Sequence, residues 1–412
     1  MDDRLLPPEF GDRYSSETSR IPRLGNTTPT RTSLPVSQAP KVPIIPEVTG
    51  AAESPERKPV DDLDNDGAVY PWYNPRGWTL RKKILVGLGF VIFIIVVILG
   101  PYYGVKLNRY PDYTPLEYRL VDTYEGSSFF DKFDYFSDED PTDGFVVYVN
   151  QEAAHDLNLT YATDTSAILR VDTFTPKAVA GRNSVRIESK QGYDHGLFIF
   201  DIIHTPFGCG TWPALWLTDG YNWPNNGEID ILETTNEGSH GNEVTLHTTK
   251  GCNMDVKRKQ TGSAVYTTCD NATHSNSGCG VLGDESTYGE AMNKNGGGVY
   301  ALELREAGIR AWFFPRHSIP KEITDPTAIP DPSTWGQALA DFPSTECDIG
   351  SHFKNQSIIA NIDLCGQLAA QPQYYEQMYK CPGKCEDLVA NHPSAFEDAY
   401  WEFASFKVFQ AI

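Results

Sequence analysis

The chain has 412 residues and a formal net charge of −21, with 34 Lys and Arg residues against 55 Asp and Glu residues. This acidic balance argues against a nucleic-acid partner, because proteins hold phosphate backbones mainly through Lys and Arg. Apolar residues make up 40% and charged residues 22% of the chain, which excludes a wholly disordered acidic protein and allows a large core.

Residues 1–80 are predicted to be a disordered tail. They contain 12 of the 29 prolines and no cysteine, and their 9 Lys and Arg nearly balance 12 Asp and Glu. No hydrophobic period continues through these prolines, so the stretch has no apolar face to bury. Residues 62–67 match the first half of an EF-hand loop, but Tyr73 stands where a calcium-binding Glu is needed. We therefore interpret this part as a solvated acidic linker.

Residues 84–105 are predicted to form a transmembrane helix. They are 22 consecutive uncharged positions, and a helix of that length spans roughly 33 Å against a hydrocarbon core of about 30 Å. Two Trp and one Tyr lie between residues 72 and 78, and Tyr102 and Tyr103 lie at the far end, as in interfacial aromatic belts. A cleavable signal peptide would occupy roughly the first 15–30 residues, where no apolar stretch occurs. The sequence thus predicts a single anchor in a lipid bilayer.

The charges beside the helix predict its orientation. Four Lys and Arg residues between positions 76 and 83 crowd the N-terminal flank, whereas Lys106 and Arg109 are spaced more loosely on the other side. Basic residues favour the cytosolic side, so the tail is predicted to be cytosolic and everything after about residue 105 to lie outside the cytosol. This is the topology of a type II membrane protein of the plasma membrane or secretory pathway.

Two further features of the sequence agree with that orientation. All eight cysteines follow the helix, in an even number suited to an oxidising compartment. Three N-glycosylation sequons also follow it, at Asn158, Asn271 and Asn355. A fourth sequon, at Asn26, is predicted to stay unmodified because it faces the cytosol.

Residues 118–412 are predicted to form one all-β domain, joined to the helix by a linker over residues 106–117. Short runs rich in β-branched and aromatic residues alternate with Gly, Asn and Asp clusters, which favours an antiparallel sandwich or barrel. The predicted strands include 144–149, 184–188, 196–200, 299–304, 309–314, 357–362 and 403–409. Short helices are predicted near 374–380 and at 386–391.

Three carboxylates are concentrated in the segment 225–233. In a strand, Glu228 and Asp230 share a face while Ile229 and Ile231 point to the other. Strict alternation would turn Glu233 into the core, where an unpaired carboxylate costs several kcal/mol. One extra residue at 231–232, a β-bulge, would return Glu233 to the face of the other two acids. We therefore predict a bulge at that point.

Such a set of carboxylates suits glycoside hydrolysis with retention. One carboxylate attacks the anomeric carbon, and a second, protonated carboxyl donates to the leaving oxygen and then activates water. Asp230 would lie within reach of both outer acids. His247, on a predicted neighbouring strand, would hydrogen-bond Asp230 or Glu233, although a single strand histidine is by itself more often structural.

Aromatic residues precede this acidic segment. Sugar rings stack on indole rings, so Trp212 and Trp223 are predicted to line a polysaccharide cleft together with Asn226, whereas Trp216 is assigned to the core. The pattern Glu-x-Asp-x-x-Glu alone is weak evidence for a glycosidase, because similar acidic sequences arise often by chance.

The surrounding motifs give the pattern its specificity. From about Ser127 to the C-terminus the sequence closely resembles the fungal laminarinase-type endo-β-1,3(4)-glucanases of glycoside hydrolase family 16. The matching stretches are 183–189, 208–216, 223–233, 245–248, 312–316, 347–353, 381–385 and 399–401.

The resemblance implies a concanavalin A-like jelly roll of two antiparallel sheets with the substrate groove on one face. It implies that Glu228 is the nucleophile, Glu233 the acid/base, Asp230 the residue that assists them and His247 a cleft histidine. It also favours disulfide bonding over metal binding for Cys381 and Cys385, while 105 connectivities stay open for eight cysteines. No metal and no cofactor is expected.

The sequence departs from the family pattern at two places. After Cys365 the fungal pattern usually continues Gly-Asp-Trp-Ala-Gly, whereas this chain has Gln367 and Leu368 in place of Asp and the cleft Trp. The membrane anchor and its tail are the second departure, since many relatives are freely secreted. A tethered enzyme suits local work on the cell's own wall.

Three functions follow from this sequence. The leading one is a membrane-anchored retaining β-glucan hydrolase that cleaves internal β-1,3 or mixed 1,3/1,4 bonds of cell-wall glucan. The second is a glucan transglycosylase, in which an acceptor hydroxyl replaces water. The third is a non-catalytic glucan-binding protein, against which the intact carboxylate set argues. The sequence leaves the oligomeric state open.

Overall fold

The computed structural model describes residues 71–412. Most of the predicted tail, with the 62–67 stretch and the Asn26 sequon, lies outside the described residues. Within them, the chain divides after Tyr102 into two units that are considered separately.

The first unit contains most of a long apolar helix, α1 (Leu80–Asn108), which includes the predicted segment 84–105. The stretch Leu80–Gly104 is long and apolar enough to cross a membrane, and its side chains are exposed. Just before it, the Trp78 indole donates a hydrogen bond to the carbonyl of Trp72 over 2.7 Å. The Lys82 ammonium lies 5.0 Å from the centre of the Trp78 ring. An aromatic and basic cluster therefore lies at the N-terminal end of α1.

The second unit is built around β-strands, with short helices between them. The strands, in chain order, are β1 (Tyr118–Glu125), β2 (Phe133–Phe136), β3 (Val146–Tyr148), β4 (Thr160–Ala162), β5 (Ala167–Arg170), β6 (Arg182–Ser184), β7 (Arg186–Tyr193), β8 (Gly196–His204), β9 (Thr211–Thr218), β10 (Glu228–Glu233), β11 (Glu243–His247), β12 (Ser263–Ala264), β13 (Cys279–Leu282), β14 (Gly298–Arg305), β15 (Gly308–Pro315), β16 (Ala340–Pro343), β17 (Gln356–Leu364) and β18 (Tyr400–Ala411). The helices are α2 (Gln151–Asp156), α3 (Gly289–Lys294), α4 (Lys321–Thr324), α5 (Ile349–His352), α6 (Gly366–Ala369), a π-helical turn (Gln373–Met378) and α7 (Cys385–Asn391).

Two eight-stranded sheets carry the fold. One runs β16-β15-β14-β8-β18-β5-β4 with β1 also paired to β18, and the other runs β12-β13-β11-β10-β9-β17-β7-β2. All pairs in these sheets are antiparallel, and only the short β3–β6 pair is parallel among the described strands. Side chains from both sheets, such as Phe198, Leu215, Ile229 and Phe406, form one continuous buried core. The predicted all-β jelly-roll architecture is confirmed, and each predicted strand run coincides with observed strands.

Residues just after α1 pack on the outer side of the first sheet. The hydroxyls of Tyr110 and Tyr113 donate to the two carboxylate oxygens of Asp341, over 3.0 Å and 3.3 Å. The Arg310 guanidinium lies 4.0 Å from the centre of the Tyr113 ring and also pairs with Glu303. The segment predicted to be a linker therefore makes specific contacts with the β-domain.

Four disulfides join all eight cysteines, so none is free. Two of them tie the segment around residues 381–385 to the chain just before β9 and just after β17. The pairs are Cys209–Cys381, Cys252–Cys347, Cys269–Cys279 and Cys365–Cys385. The expectation that Cys381 and Cys385 form disulfides is confirmed, each with a distant partner rather than with the other.

Candidate active site

The predicted bulge in β10 is present and places the three acids on one face. In the register with β9, Glu228 lies opposite Thr218 and Asp230 opposite Trp216, and the register then shifts between Asp230 and Leu232. The register with β11 shifts at the same place, between Asp230 and Glu233. Both side chains at positions 231 and 232 are fully buried in the core. One extra residue is thus accommodated on the core side, and Glu233 returns to the face of Glu228 and Asp230.

Asn242 holds this bulge from the neighbouring loop. Its side-chain oxygen accepts the backbone N–H of Glu233 over 2.9 Å, and its side-chain amide donates to the carbonyl of Ile231 over 2.8 Å. A bulge leaves backbone groups without partners in the strand ladder. The fully buried side chain of Asn242 provides one acceptor and one donor for two such groups. Its own N–H donates to the Thr287 hydroxyl over 2.9 Å. The direction of Glu233 therefore depends on a residue from outside its strand.

Replacing Asn242 by Ala is expected to lower kcat on β-glucan about 10- to 100-fold with little change in KM, because small misplacements of a reacting group are costly. Loss of the two hydrogen bonds should also lower the free energy of unfolding by about 1–3 kcal/mol. Steady-state kinetics and thermal unfolding measure both effects. The matched control is Asn295→Ala, which removes an exposed amide that donates only to a helix carbonyl. Wild-type kcat in the folded Asn242 variant would contradict this role.

Glu228, Asp230 and His247 lie together at the centre of the face. One carboxylate oxygen from each acid and one ring nitrogen of His247 all lie within 4.8 Å of one another. His247 Nε2 is 3.3 Å from Asp230 Oδ2, as predicted, and its Nδ1 contacts the Asn276 side-chain oxygen over 3.0 Å. The contact with Asn276 favours the tautomer or cation that carries a proton on Nδ1. The imidazole is thereby oriented from both sides.

Burial and mutual repulsion raise the proton affinity of this group. Burial raises the pKa of Glu228, the charge of Glu233 adds to the rise, and His247 opposes it. Burial, followed by the charges of Glu228 and Glu233, holds the pKa of Asp230 well above its ordinary value. For His247, burial alone would lower the pKa, but the hydrogen bond to Asp230 and the neighbouring carboxylates raise it to about 10. Ionisation of one carboxyl therefore opposes ionisation of its neighbours.

The predicted cleft tryptophans contact the two outer acids. The Trp212 indole donates to Glu233 Oε1 over 2.8 Å. Trp223 is 39% exposed, and its side chain hydrogen-bonds Glu228, which opposes the rise in the pKa of that carboxyl. Each proposed catalytic carboxylate is thus flanked by an indole, as a sugar-binding cleft requires.

Asn226 is tied into the domain beside this cleft. Its side-chain amide donates to Asp219 Oδ2 over 2.8 Å, and Asn222 donates to the same oxygen. Its carbonyl accepts the Gln356 side-chain amide over 2.7 Å. One N–H of the Asn226 side-chain amide is therefore used to hold the loop before β10, and contact of this residue with substrate stays a prediction.

The assignment of Trp216 to the core is wrong. Trp216 lies directly opposite Asp230 and shares its face, while Leu215 and Leu217 point into the core. Its indole donates to the Asn361 side-chain oxygen over 2.8 Å, and the Arg186 guanidinium lies 4.9 Å from the centre of its ring. Positions 212 and 216 have the same parity along one unbroken strand, so both must face the cleft.

Several residues of this face were missed by the sequence reasoning. Glu243 lies opposite Glu233 in the β10–β11 register. Burial raises the pKa of Tyr374, in the π-helical turn, and the charge of Glu243 adds to that rise. Side chains alternate along β11, so position 243 shares the face of His247. The sequence pattern could therefore have predicted Glu243 on the cleft face. Asn242 and Tyr374 had no such signal, because Asn242 lies in the loop before β11 and Tyr374 lies in a short π-helical turn.

Two groups of described residues bring three potential metal-ligating atoms together. One consists of Cys209, Glu237 and Cys381, but its two sulfurs are joined in a disulfide and cannot act as thiolates. The other consists of Glu228, Asp230 and His247, the set at the centre of the cleft. Their contacts with each other and with the flanking side chains are those of an acid–base group.

Leu368 replaces the expected cleft aromatic on α6. Gly366, at the start of this helix, lies against the Trp212 ring, so α6 borders the cleft. Leu368 is partly buried. The departure from the family pattern therefore falls beside Trp212.

Comparison with protein families matches residues 133–409 to the model described as "XgeA-like, catalytic GH16 domain". A probable glycosidase of Schizosaccharomyces pombe is 46% identical over 307 residues, covering 74% of this chain and 72% of that protein. An endo-1,3(4)-β-glucanase of Arthroderma benhamiae is 41% identical over 301 residues, covering 71% and 65%. The endo-1,3(4)-β-glucanase xgeA of Emericella nidulans is 38% identical, and the match covers only 47% of its length.

Solved structures agree with this comparison. Laminarinase 16A from Phanerochaete chrysosporium, determined with β-glucans in both donor and acceptor sites, is 45% identical with a TM-score of 0.69, covering 71% of this chain and 99% of that one. An elongating β-1,3-glucosyltransferase of the same family is 39% identical with a TM-score of 0.66, covering 71% of this chain and 100% of that one.

Proposed function

This chain belongs to glycoside hydrolase family 16, with an endo-1,3(4)-β-glucanase-like catalytic domain, and on that premise we propose that it cleaves internal β-1,3 or mixed β-1,3/1,4 bonds of β-glucan with retention of configuration. The observation that carries the proposal is the bulge in β10, which brings Glu228, Asp230 and Glu233 to one face between two indoles. Neutral glucan is held by stacking and hydrogen bonds, so the acidic domain needs no basic surface.

In the first step, a carboxylate oxygen of Glu228 bonds to the anomeric carbon as the glycosidic C–O bond breaks. The electron pair of that bond goes to the leaving oxygen, which takes the proton from Glu233. Asp230 and His247 lie beside Glu228 and fix its direction and charge. The Trp212 indole, which donates to Glu233 Oε1, fixes the position of the acid.

In the second step, Glu233 takes a proton from water as the water oxygen bonds to the anomeric carbon. The bond to Glu228 breaks, its electron pair returns to the carboxylate, and the sugar leaves with its original configuration. The same residue serves as acid and then as base because its proton was lost in the first step.

A glucan transglycosylase is the second candidate. The elongating β-1,3-glucosyltransferase with 39% identity supports it, since that protein shares the fold and family. Here an acceptor hydroxyl takes the place of water in the second step. Helix α6, whose Gly366 lies against the Trp212 ring, has Leu368 where the fungal pattern has Trp. We expect this difference to affect whether water or an acceptor hydroxyl reaches the intermediate.

The experiment uses the full-length chain in detergent with a defined β-1,3-glucan oligosaccharide. Proton NMR at early times follows the anomer formed, and mass spectrometry follows product lengths. Shorter products that first appear as the β-anomer support a retaining hydrolase. Products longer than the substrate support the transglycosylase, and early α-anomer would contradict retention and the roles of both glutamates.

We further propose that helix α1 anchors the catalytic domain to a membrane in the type II orientation, where it acts on cell-wall glucan. The helix is long and apolar enough, and basic residues crowd its N-terminal flank. The four disulfides fit an extracytoplasmic domain. Asn158 is exposed and available for a glycan, whereas the Asn355 side chain already donates to Asp219 over 3.2 Å.

The full-length chain is expected to stay in the membrane pellet after alkaline carbonate extraction. Carbonate disrupts electrostatic contacts with the membrane surface but does not extract a helix that spans the bilayer. When protease is added to sealed microsomes, it should degrade the N-terminal tail of the protein but spare the catalytic domain inside the vesicle. The control is Asn158→Gln, which should remove one glycan without changing extraction. Release into the carbonate supernatant, or a protected tail, would contradict the proposed topology.

A further inference from the structure

A loop closed by a disulfide, the segment between Cys269 and Cys279, packs against His247. Both cysteines of this disulfide loop are fully buried. Cys279 lies opposite Leu246 in the β11–β13 register. At the other end of the loop, the carbonyl of Cys269 accepts the backbone N–H of Thr248 over 2.8 Å. Both ends of the loop are therefore fixed to the neighbours of His247 in the chain.

Two residues of the disulfide loop contact the imidazole of His247. The Asn276 side-chain oxygen lies 3.0 Å from Nδ1. A β-carbon at Gly278 would lie 2.8 Å from Cε1 of His247 and 2.6 Å from the Thr245 methyl group. Glycine is therefore needed for the backbone to pass this close to the ring. The edge of the ring that carries Nδ1 and Cε1 thus faces the loop.

The backbone of the loop takes an uncommon conformation where it presents Asn276. His274, Ser275 and Asn276 have φ angles of 48°, 53° and 63°, so three consecutive residues with side chains are left-handed. Such residues rarely enter this region, and then usually one at a time. Backbone strain of this kind persists only where the surrounding structure imposes it, and it is concentrated at functional sites. Here it accompanies the contact between Asn276 and His247.

His247 lies between two hydrogen-bond acceptors. Its Nε2 is 3.3 Å from Asp230 Oδ2, and its Nδ1 is 3.0 Å from the Asn276 side-chain oxygen. A neutral imidazole has one N–H and one lone pair, so beside an ionised Asp230 it can satisfy only one of the two acceptors. The protonated ring satisfies both. The His247 side chain is only 9% exposed, so little water can replace either partner.

The charged groups around His247 lie on β10 and on its own strand. Glu228 is directly opposite His247 in the β10–β11 register, and Asp230 and Glu233 share its face. Burial alone would lower the pKa of His247, whereas the hydrogen bond to Asp230 and the charges of these acids raise it to about 10. Burial and the charge of Glu233 raise the pKa of Glu243, on β11, to about 7, and His247 opposes that rise. The disulfide loop, by contrast, presents an uncharged amide to the ring.

We propose that Asn276 is a positioning residue that keeps a proton on His247 Nδ1 and thereby keeps the nucleophile Glu228 ionised. With the Asn276 oxygen as acceptor, the ring holds N–H groups on both sides and Glu228 stays a carboxylate. Without that acceptor, a neutral ring with its proton on Nε2 suits the Asp230 carboxylate. The N–H bond at Nδ1 then breaks and an O–H bond forms on Glu228, whose carboxyl group cannot attack the anomeric carbon. This inference rests on the proposed function.

The first test is the pH dependence of kcat/KM on a β-1,3-glucan oligosaccharide, with the full-length chain in detergent. In Asn276→Gly, which suits the left-handed backbone, water replaces the amide and can donate as well as accept, so the preference for a proton on Nδ1 is lost. Glu228 should then ionise at higher pH. The acid limb of the profile should move up by about one pH unit, with kcat/KM on that limb about 10-fold lower. Asn158→Gly makes the same change at an exposed left-handed position between α2 and β4 and should leave the limb in place.

The second test locates the proton on the ring. Long-range proton–nitrogen NMR of the full-length chain with labelled histidine distinguishes a proton on Nδ1, on Nε2 or on both, and comparison with His247→Gln assigns the signals. Near neutral pH the wild type should carry a proton on Nδ1, and Asn276→Gly should show the tautomer with a proton on Nε2 alone. Asn276→Asp keeps an accepting oxygen and should retain the Nδ1 proton, which also covers the case of a Gly variant that does not fold.

Two results would overturn the inference. One is a wild-type His247 without a proton on Nδ1 near neutral pH, and the other is a folded Asn276→Gly enzyme whose acid limb coincides with that of the wild type. Absence of glucan turnover in the wild type would instead overturn the proposed function, and the NMR measurement would still decide where the proton lies.

Discussion

Glu228→Gln is expected to reduce kcat on β-glucan by at least about 10⁴-fold, the scale seen when a nucleophile is removed. The substitution preserves the size of the side chain and its place opposite Thr218 but removes the negative oxygen that must bond to the anomeric carbon. Binding should persist, because Trp212 and Trp223 remain to stack on the glucan. Turnover assays together with isothermal titration of a β-glucan oligosaccharide measure the two effects separately.

The same chemical change in the other sheet provides the control for Glu228. Glu402 lies on β18, paired with β5 and β8, and belongs to neither the bulge nor the cleft. Glu402→Gln should keep wild-type turnover and binding. If Glu228→Gln, correctly folded, kept more than about a hundredth of wild-type kcat, Glu228 would not be the nucleophile.

Glu233→Gln is expected to lower kcat/KM on glucan by about 10²–10⁴-fold, the usual contribution of a positioned general acid. The Trp212 indole can still donate to the amide oxygen, so the geometry of the site is preserved. Formation of the glycosyl-enzyme from a dinitrophenyl glycoside should be nearly unchanged, because that leaving group departs without a proton. Burst kinetics would show rapid release of dinitrophenol followed by slow turnover.

Azide gives an independent check of the two roles. As a nucleophile that needs no general base, it should restore turnover of the dinitrophenyl glycoside in Glu233→Gln and form a β-glycosyl azide. In Glu228→Ala, which leaves space where the carboxylate stood, the same anion attacks the opposite face of the sugar and should form the α-azide instead. A β-azide from the Glu228 variant would reverse the two assignments.

The β10 bulge shows how much of the site can be predicted from the alternation of side chains along one strand. Alternation put Glu228 and Asp230 on one face, and the cost of burying Glu233 required one extra residue at positions 231–232, as observed. The same reasoning, applied consistently, would have put Trp216 on the cleft face with Trp212. Both positions have the same parity along β9, which runs without a break from Thr211 to Thr218.

The sequence by itself determined the strand-rich architecture, the three acids on one face, the apolar helix and the family. Each of these depends on residues close together in the chain or on motifs read along it. Only the tertiary structure decided that Glu243 opposes Glu233, that Asn242 fills the bulge, that Tyr110 and Tyr113 dock on Asp341, and which cysteines pair. These contacts depend on register between strands and on loops that return from distant positions, and the spacing of residues within one strand contains no information about them.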